Sequence, residues 1–152
     1  MNVLLNRPKD AGLAHQIHIL LADDETDIRH CVTLYLSRAG YAVTAVADGQ
    51  QAWEALQVGA YDLLTTDQQM PNLTGAELIS RLRLADINLP VIVAASDLEP
   101  FSESQCSRLK IAALLQKPFG LDELRRVVDQ SLSPILAYPQ LEAMDMQLSG
   151  CH

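Results

Sequence analysis

The stretch that decides the fold reads Ile17-His18-Ile19-Leu20-Leu21-Ala22-Asp23-Asp24-Glu25. Its apolar half is typical of a buried strand, and acidic residues follow at the point where that strand ends. The next segment is amphipathic at helical spacing, and its inward positions are predicted to be Ile28, Cys31, Val32, Tyr35, Leu36 and Ala39. The chain therefore enters its core through a strand followed by a helix.

The same alternation recurs along the chain as far as Ser133. Further apolar runs predict strands over Tyr41–Val46, Tyr61–Thr66, Val91–Ala95 and Ile111–Leu115. Helices are predicted after them over Gln50–Val58, Gly75–Leu84, roughly Pro100–Leu109 and Leu121–Leu132. Five strands alternating with five helices predict an α/β fold, in which a doubly wound parallel sheet is covered on both faces. In such sheets ligands bind at the carboxyl ends of the strands.

Length and charge limit the possible classes of protein. The chain has 152 residues, a formal net charge of −8 and 5% aromatic residues, which predicts one domain with an aliphatic core. An acidic protein is poorly suited to bind nucleic acid or an anionic membrane surface directly. Neither a bilayer-spanning apolar run nor the apolar region of a signal peptide is found, so a cytoplasmic protein is expected.

Two flanks lie outside the alternating pattern of residues 17–133. Residues 1–16 are predicted to be a flexible leader. Residues 134–152 are predicted to be a C-terminal tail, either loosely ordered or folded into one short amphipathic helix that presents Leu141, Met144 and Leu148.

Acidic side chains are expected to converge at one edge of the sheet. Asp23 and Asp24 end the first strand and Asp67 ends the third, which is its neighbour in a doubly wound sheet. Two like charges about 4 Å apart repel by roughly 4 kcal/mol at an effective dielectric constant near 20. A compensating cation is therefore needed, and oxygen ligands favour Mg²⁺ or Mn²⁺.

A lysine completes the expected site. Lys117 follows the fifth strand, so its long side chain can reach back over the carboxylates, and the bond to Pro118 is a candidate cis peptide. Acidic residues, a divalent metal and one ammonium suit a phosphoryl group, whose oxygens the two cations neutralise while an aspartate acts as nucleophile.

Across residues 17–133 the chain resembles the receiver domain of bacterial response regulators in two-component signalling. The segments that carry the resemblance are ILLADDETDIRH (19–30), AGYAVTAVADGQQAWEAL (39–56), YDLLTTDQQMPNLTGAELI (61–79), PVIV (90–93) and QKPF (116–119). The resemblance implies a flavodoxin-like (βα)5 fold with strand order 2-1-3-4-5.

The resemblance also implies a role for each matching residue. Asp67 would be the phospho-acceptor and Lys117 the partner of the phosphoryl oxygens. The metal ligands would be Asp23 (through water), Asp24, Asp67 and the backbone carbonyl of Gln69. The supporting loop residues would be Pro71, Gly75 and Pro118. The phosphoryl donor would be a sensor histidine kinase or a histidine phosphotransfer protein, and a downstream protein would read the signal.

The sequence departs from the family at its switch positions. Ala95 stands where the family usually has Thr or Ser, and Ser96, which follows it, is expected to point to the opposite face. Leu114 replaces the usual Tyr or Phe, and Lys110-Ile111 replaces Gly-Ala. Acceptor chemistry is therefore expected to be intact, whereas the usual relay to the surface is not.

The sequence favours some functional classes over others. The chain is expected to act through protein–protein contact or as a phosphorelay intermediate, catalysing no reaction beyond its own phosphorylation and dephosphorylation. The alternative is a receiver-like partner-binding domain that does not respond to phosphorylation, which Ala95 and Leu114 motivate. A dehalogenase-type phosphatase is disfavoured because Asp67-Gln68-Gln69 lacks a second carboxylate. A flavin-binding protein is disfavoured because Asp23-Asp24 would repel a phosphate.

Overall fold

The computed structural model describes residues 15–133. Its strands are β1 His18–Ala22, β2 Ala42–Val46, β3 Leu63–Asp67, β4 Val91–Ala95 and β5 Ala113–Gln116. Its helices are α1 Thr26–Arg38, α2 Gly49–Val58, α3 Gly75–Leu84, α4 Glu103–Leu109 and α5 over 121–133. Except for residues 15 and 16, the predicted leader and tail lie outside the described part of the chain.

All five strands form one parallel sheet in the order β2-β1-β3-β4-β5, which confirms the predicted fold class and strand order. Each face of the sheet carries its own apolar cluster. Buried residues of α2, α3 and α4 pack on one face, together with Leu20, Leu64 and Val93. Helices α1 and α5 cover the other face, over Ile19 and Ile92. The sheet is thus doubly wound, as five βα units require.

Helix boundaries follow local hydrogen-bond chemistry. Helix α3 begins at the predicted residue because Thr74 and Glu77 form a capping box, in which each side chain accepts a hydrogen bond from the other residue's backbone amide. Helix α4 begins three residues later than predicted, at Glu103, because Ser102 caps it by accepting from the Gln105 amide.

One predicted core position is wrong. Cys31 is exposed, whereas Val32 and Leu36 of the same helix are buried. Successive helical residues are rotated by about 100°, so Cys31 lies roughly 140° around the helix from Leu36. It therefore falls at the edge of the apolar face and not within it.

In the described residues, no helix is long and apolar enough to cross a bilayer.

Candidate functional site

The register of the sheet brings two aspartates side by side. Ala22 of β1 pairs with Thr66 of β3, and the next residue on each strand is Asp23 or Asp67. The Asp23 amide continues the ladder by donating to the Val46 carbonyl at 3.1 Å. Only 5% of the Asp23 side chain and 7% of the Asp67 side chain are exposed, so both carboxylates are held in a pocket of low solvent content.

Lys117 reaches this pocket from the end of β5. Its amide donates to the Ala95 carbonyl at 2.9 Å, which fixes the backbone in step with β4, and the Lys117–Pro118 peptide is cis. The Lys117 Nζ lies 3.1 Å from Asp67 Oδ2 and 3.6 Å from Asp23 Oδ2. The structure therefore brings together three side chains that are far apart in sequence.

Glu25 belongs to the site although sequence reasoning did not include it. Its Oε1 lies 3.4 Å from Lys117 Nζ, and one oxygen from each of Asp23, Glu25 and Asp67 lies within 4.8 Å of the others. Asp24, a predicted metal ligand, is exposed and is not part of that group. The available signal was adjacency, since Glu25 directly follows Asp23-Asp24 between the end of β1 and the start of α1.

Backbone hydrogen bonds orient both buried carboxylates. Asp23 Oδ1 accepts from the Glu25 amide at 2.9 Å, and Asp67 Oδ1 accepts from the Gln68 amide at 3.1 Å. Arg29 Nη1 donates to the Asp23 carbonyl at 2.7 Å and so ties α1 to the same turn. In each aspartate, Oδ1 is held by the backbone while Oδ2 faces the lysine.

The loop after β3 is closed by a close backbone approach at Gly75. The Gly75 amide donates to the Gln68 carbonyl at 2.9 Å, and a Cβ at this position would lie 2.6 Å from the Asp67 carbonyl oxygen. The Gln68 side chain accepts from the first turn of α3. Gln69, whose backbone carbonyl is a predicted metal ligand, and Pro71, a predicted residue of this loop, are exposed. Only glycine fits between the acceptor strand and α3.

Burial and charge shift the pKa values in the pocket. Burial raises the pKa of Asp67 to about 6, although the hydrogen bond and charge of Lys117 oppose the shift. Burial likewise raises the pKa of Asp23. Burial alone would lower the pKa of Lys117, but the hydrogen bond to Asp67 and the neighbouring carboxylates raise it. The site therefore has more negative charge than one ammonium neutralises, and its donor set of carboxylate oxygens suits a hard divalent cation.

The predicted switch positions lie beside this pocket. Ala95 is buried on β4. Val93, two residues before it on the same strand, pairs with Leu114 of β5. Alternation along the strand therefore directs Ala95 and Leu114 to the α4 side of the sheet, where Leu114 packs on the core. Ser96 is exposed and lines a cavity of about 550 Å³ together with Lys117.

Arg83 has a structural role that its sequence position did not reveal. Its guanidinium donates to the carbonyls of Leu109, Ile87 and Lys110 at 2.8, 2.7 and 3.0 Å, respectively. These bonds join α3 to the loop before β4 and to the end of α4. Lys110 itself has a left-handed backbone, with φ +55°. Sequence does not reveal this role, because it does not show that three carbonyls meet at the end of this helix.

Comparisons with known proteins agree with this geometry. The model of the family described as "Response regulator receiver domain" matches residues 19–129. The response regulator receiver protein CpdR of Brucella abortus is 36% identical over 118 residues, which cover 75% of this chain and 95% of CpdR. The transcriptional regulator NtrC of a Bradyrhizobium strain is 36% identical over 115 residues, covering 76% of this chain. The chain spans only about a quarter (24%) of that relative's length.

A solved structure of a response regulator protein is similar to this chain in fold. The response regulator protein TrrA of Thermotoga maritima, in complex with Mg²⁺-BeF, matches with a TM-score of 0.69 and 26% sequence identity. The match covers 77% of this chain and 100% of TrrA.

Proposed function

The chain belongs to the response regulator receiver domain family, and from this premise we propose that Asp67 accepts a phosphoryl group from a histidine of a partner protein. The observation that supports this most directly is the placement of Lys117 Nζ, 3.1 Å from Asp67 Oδ2 and 3.6 Å from Asp23 Oδ2. A buried carboxylate next to a partly buried ammonium has both the nucleophile and the charge that a phosphoryl transfer needs.

In the proposed step, one Asp67 oxygen forms a bond to phosphorus as the bond between phosphorus and the donor histidine nitrogen breaks. The donor imidazole keeps the electron pair and takes up a proton. Lys117 pairs with the phosphoryl oxygens as their charge develops, and the Gln68 amide keeps the other Asp67 oxygen oriented. The product is an acyl phosphate on Asp67.

We assign a Mg²⁺ or Mn²⁺ site to Asp23, Asp24, Asp67 and the backbone carbonyl of Gln69, with Asp23 acting through water. The excess negative charge of the pocket supports the assignment, as does TrrA, which was crystallised with Mg²⁺-BeF. When bound, the ion would neutralise charge on the equatorial phosphoryl oxygens. Asp24 is exposed, so its side chain is accessible to an incoming cation.

The donor would be a sensor histidine kinase or a histidine phosphotransfer protein, and a downstream protein would bind the phosphorylated domain. We place the protein in the cytoplasm and expect no direct contact with nucleic acid, in line with its net charge of −8. Self-catalysed phosphorylation and dephosphorylation would be its only chemistry.

The test is labelling by a small phosphodonor such as acetyl phosphate in the presence of Mg²⁺, followed by intact mass measurement. We expect one added phosphoryl group on the native protein and none on the Asp67→Asn variant or in the presence of a chelator. Asp86→Asn is the matched control, because Asp86 is exposed and has a left-handed backbone that asparagine also tolerates. Labelling of Asp67→Asn, or labelling without a divalent ion, would contradict the proposal.

A further inference from the structure

Three carboxylates share the single ammonium of Lys117. Asp67, Glu25 and Asp23 approach Nζ to 3.1, 3.4 and 3.6 Å, respectively. The side chains of Asp23 and Asp67 are almost fully buried, whereas 60% of the Glu25 side chain is exposed. Glu25 therefore approaches the lysine from the solvent side of the pocket.

The partners of the three acids differ. Asp23 and Asp67 each accept a backbone hydrogen bond in addition to facing the lysine. Glu25 is the N-cap residue of α1, yet its side chain makes no capping hydrogen bond. Within residues 15–133, Lys117 is the only hydrogen-bond or ion-pair partner that the structure gives the Glu25 carboxylate. This carboxylate is thus oriented by the lysine and not by the helix that it begins.

From these contacts we infer that Glu25 is a positioning residue, which holds the Lys117 ammonium toward the start of α1 until a phosphoryl group on Asp67 takes it over. The inference rests on the proposed function, because it takes Lys117 as the partner of the phosphoryl oxygens. Glu25 and the phosphoryl group then compete for one cation. Loss of Glu25 would leave the lysine available and strengthen binding of a phosphoryl group.

A direct role in metal binding is the competing explanation, because an oxygen of Glu25 lies within 4.8 Å of oxygens of Asp23 and Asp67. The two roles predict different effects on Mg²⁺ affinity. A metal ligand would weaken Mg²⁺ binding when it is removed. A residue that holds the lysine would leave Mg²⁺ affinity nearly unchanged and would alter only the response to a phosphoryl group.

The experiment is calorimetric titration of the full chain, first with Mg²⁺ and then with beryllofluoride, a phosphoryl analogue. Glu25→Gln is expected to bind beryllofluoride about fivefold more tightly, which corresponds to the strongest ion pairs measured at partly exposed sites. Asp27→Asn is the matched control, since Asp27 lies in the first turn of α1 and does not pair with Lys117. It lines the same cavity of about 550 Å³ that Glu25 and Lys117 line. We expect this control to change beryllofluoride affinity by less than about twofold.

Glu25→Asp separates positioning from simple repulsion. The shorter side chain keeps the negative charge but moves the carboxylate away from Lys117. Glu25→Asp should therefore show most of the increase in beryllofluoride affinity that is expected for Glu25→Gln. Native affinity in Glu25→Asp would show that the charge acts through space. Equal effects of Glu25→Gln and Asp27→Asn, or a tenfold loss of Mg²⁺ affinity in Glu25→Gln, would also overturn the inference. If the native protein bound no beryllofluoride in Mg²⁺, the proposed function itself would fail.

Discussion

The two sides of the functional edge of this sheet differ in how well they match their family. On the acceptor side, defined by Asp23, Asp67 and Lys117, each side chain lies where phosphoryl chemistry would need it. On the relay side, defined by Ala95, Leu114 and Lys110, each residue departs from the family pattern. Both sides belong to the same sheet, in which β3, ending at Asp67, pairs with β4, ending at Ala95.

This difference separates accepting a phosphoryl group from reporting it. The proposed acceptance depends on the charges of Asp23, Asp67 and Lys117, which the strand ends bring together. Reporting needs a side chain that bonds the phosphoryl group and moves a helix, and the Ala95 methyl group has no donor for such a bond. Under the proposed function the two tasks lie on separate residues, so a substitution at one set is expected to leave the other task intact.

The largest expected effect concerns the protonation of Asp67. Its pKa of about 6, against an ordinary value of 3.8, means roughly a hundredfold tighter proton binding in the folded protein. Between these values the folded state binds more protons than the unfolded state. The contribution of Asp67 to stability in the absence of metal therefore falls as pH rises from about 4 to 6.

A divalent cation favours the charged carboxylate, so Mg²⁺ should lower this pKa and remove the dependence. Carbon-13 NMR titration of the Asp67 carboxyl, assigned with Asp67→Asn, measures the midpoint with and without Mg²⁺. A midpoint near 4 in metal-free protein would contradict burial as the cause of the raised pKa, and a midpoint that Mg²⁺ leaves unmoved would contradict a metal site at Asp67.

The second effect tests what fixes the relay side in place. Arg83→Met removes three hydrogen bonds from a half-buried guanidinium and should lower the free energy of unfolding by about 2 kcal/mol. Arg81→Met is the control, because Arg81 is exposed and lies 5.3 Å from the centre of the Trp53 ring, a contact worth roughly 0.5–1 kcal/mol. Urea unfolding provides both values, and equal losses would show that the three carbonyl contacts contribute little.

The third prediction attempts to restore the relay. Ala95→Thr combined with Leu114→Tyr supplies a hydroxyl near the phosphoryl group and an aromatic ring on the same face of the sheet. A charge-assisted hydrogen bond is worth roughly 1.5–3 kcal/mol, so beryllofluoride should bind at least about tenfold more tightly. Amide NMR shifts should then extend into α4. Unchanged affinity and unchanged shifts would mean that this chain signals without that relay.

Sequence predicted the parts of the molecule that backbone geometry controls. The doubly wound parallel sheet and the meeting of Asp23 with Asp67 follow from parallel βα units, whose strand ends share one edge, whereas the strand order was implied by the family resemblance. Contacts that depend on side-chain reach could not be predicted in the same way. Most of these partners are distant in sequence, because Lys117 lies 92 residues from Glu25, and Leu109 and Lys110 lie 26 and 27 residues from Arg83.

The smallest effect is expected at Lys110, where the family usually has glycine. Lys110 ends α4 with φ +55° and ψ +47°, a left-handed conformation that costs a residue with a Cβ about 1 kcal/mol and costs glycine little. Lys110→Gly should therefore be more stable than Lys110→Ala by about 1 kcal/mol, and the alanine variant controls for loss of the lysine side chain.

A higher stability of Lys110→Gly than of Lys110→Ala would show that the backbone at Lys110 is strained, and this strain would link Lys110 to the relay side. Arg83 donates to the Lys110 carbonyl, so the strained residue is held by a contact outside its own helix. If Lys110→Gly were no more stable than Lys110→Ala in urea unfolding, the turn would be free of strain. The relay side would then differ from the family in its side chains alone and not in the backbone that ends α4.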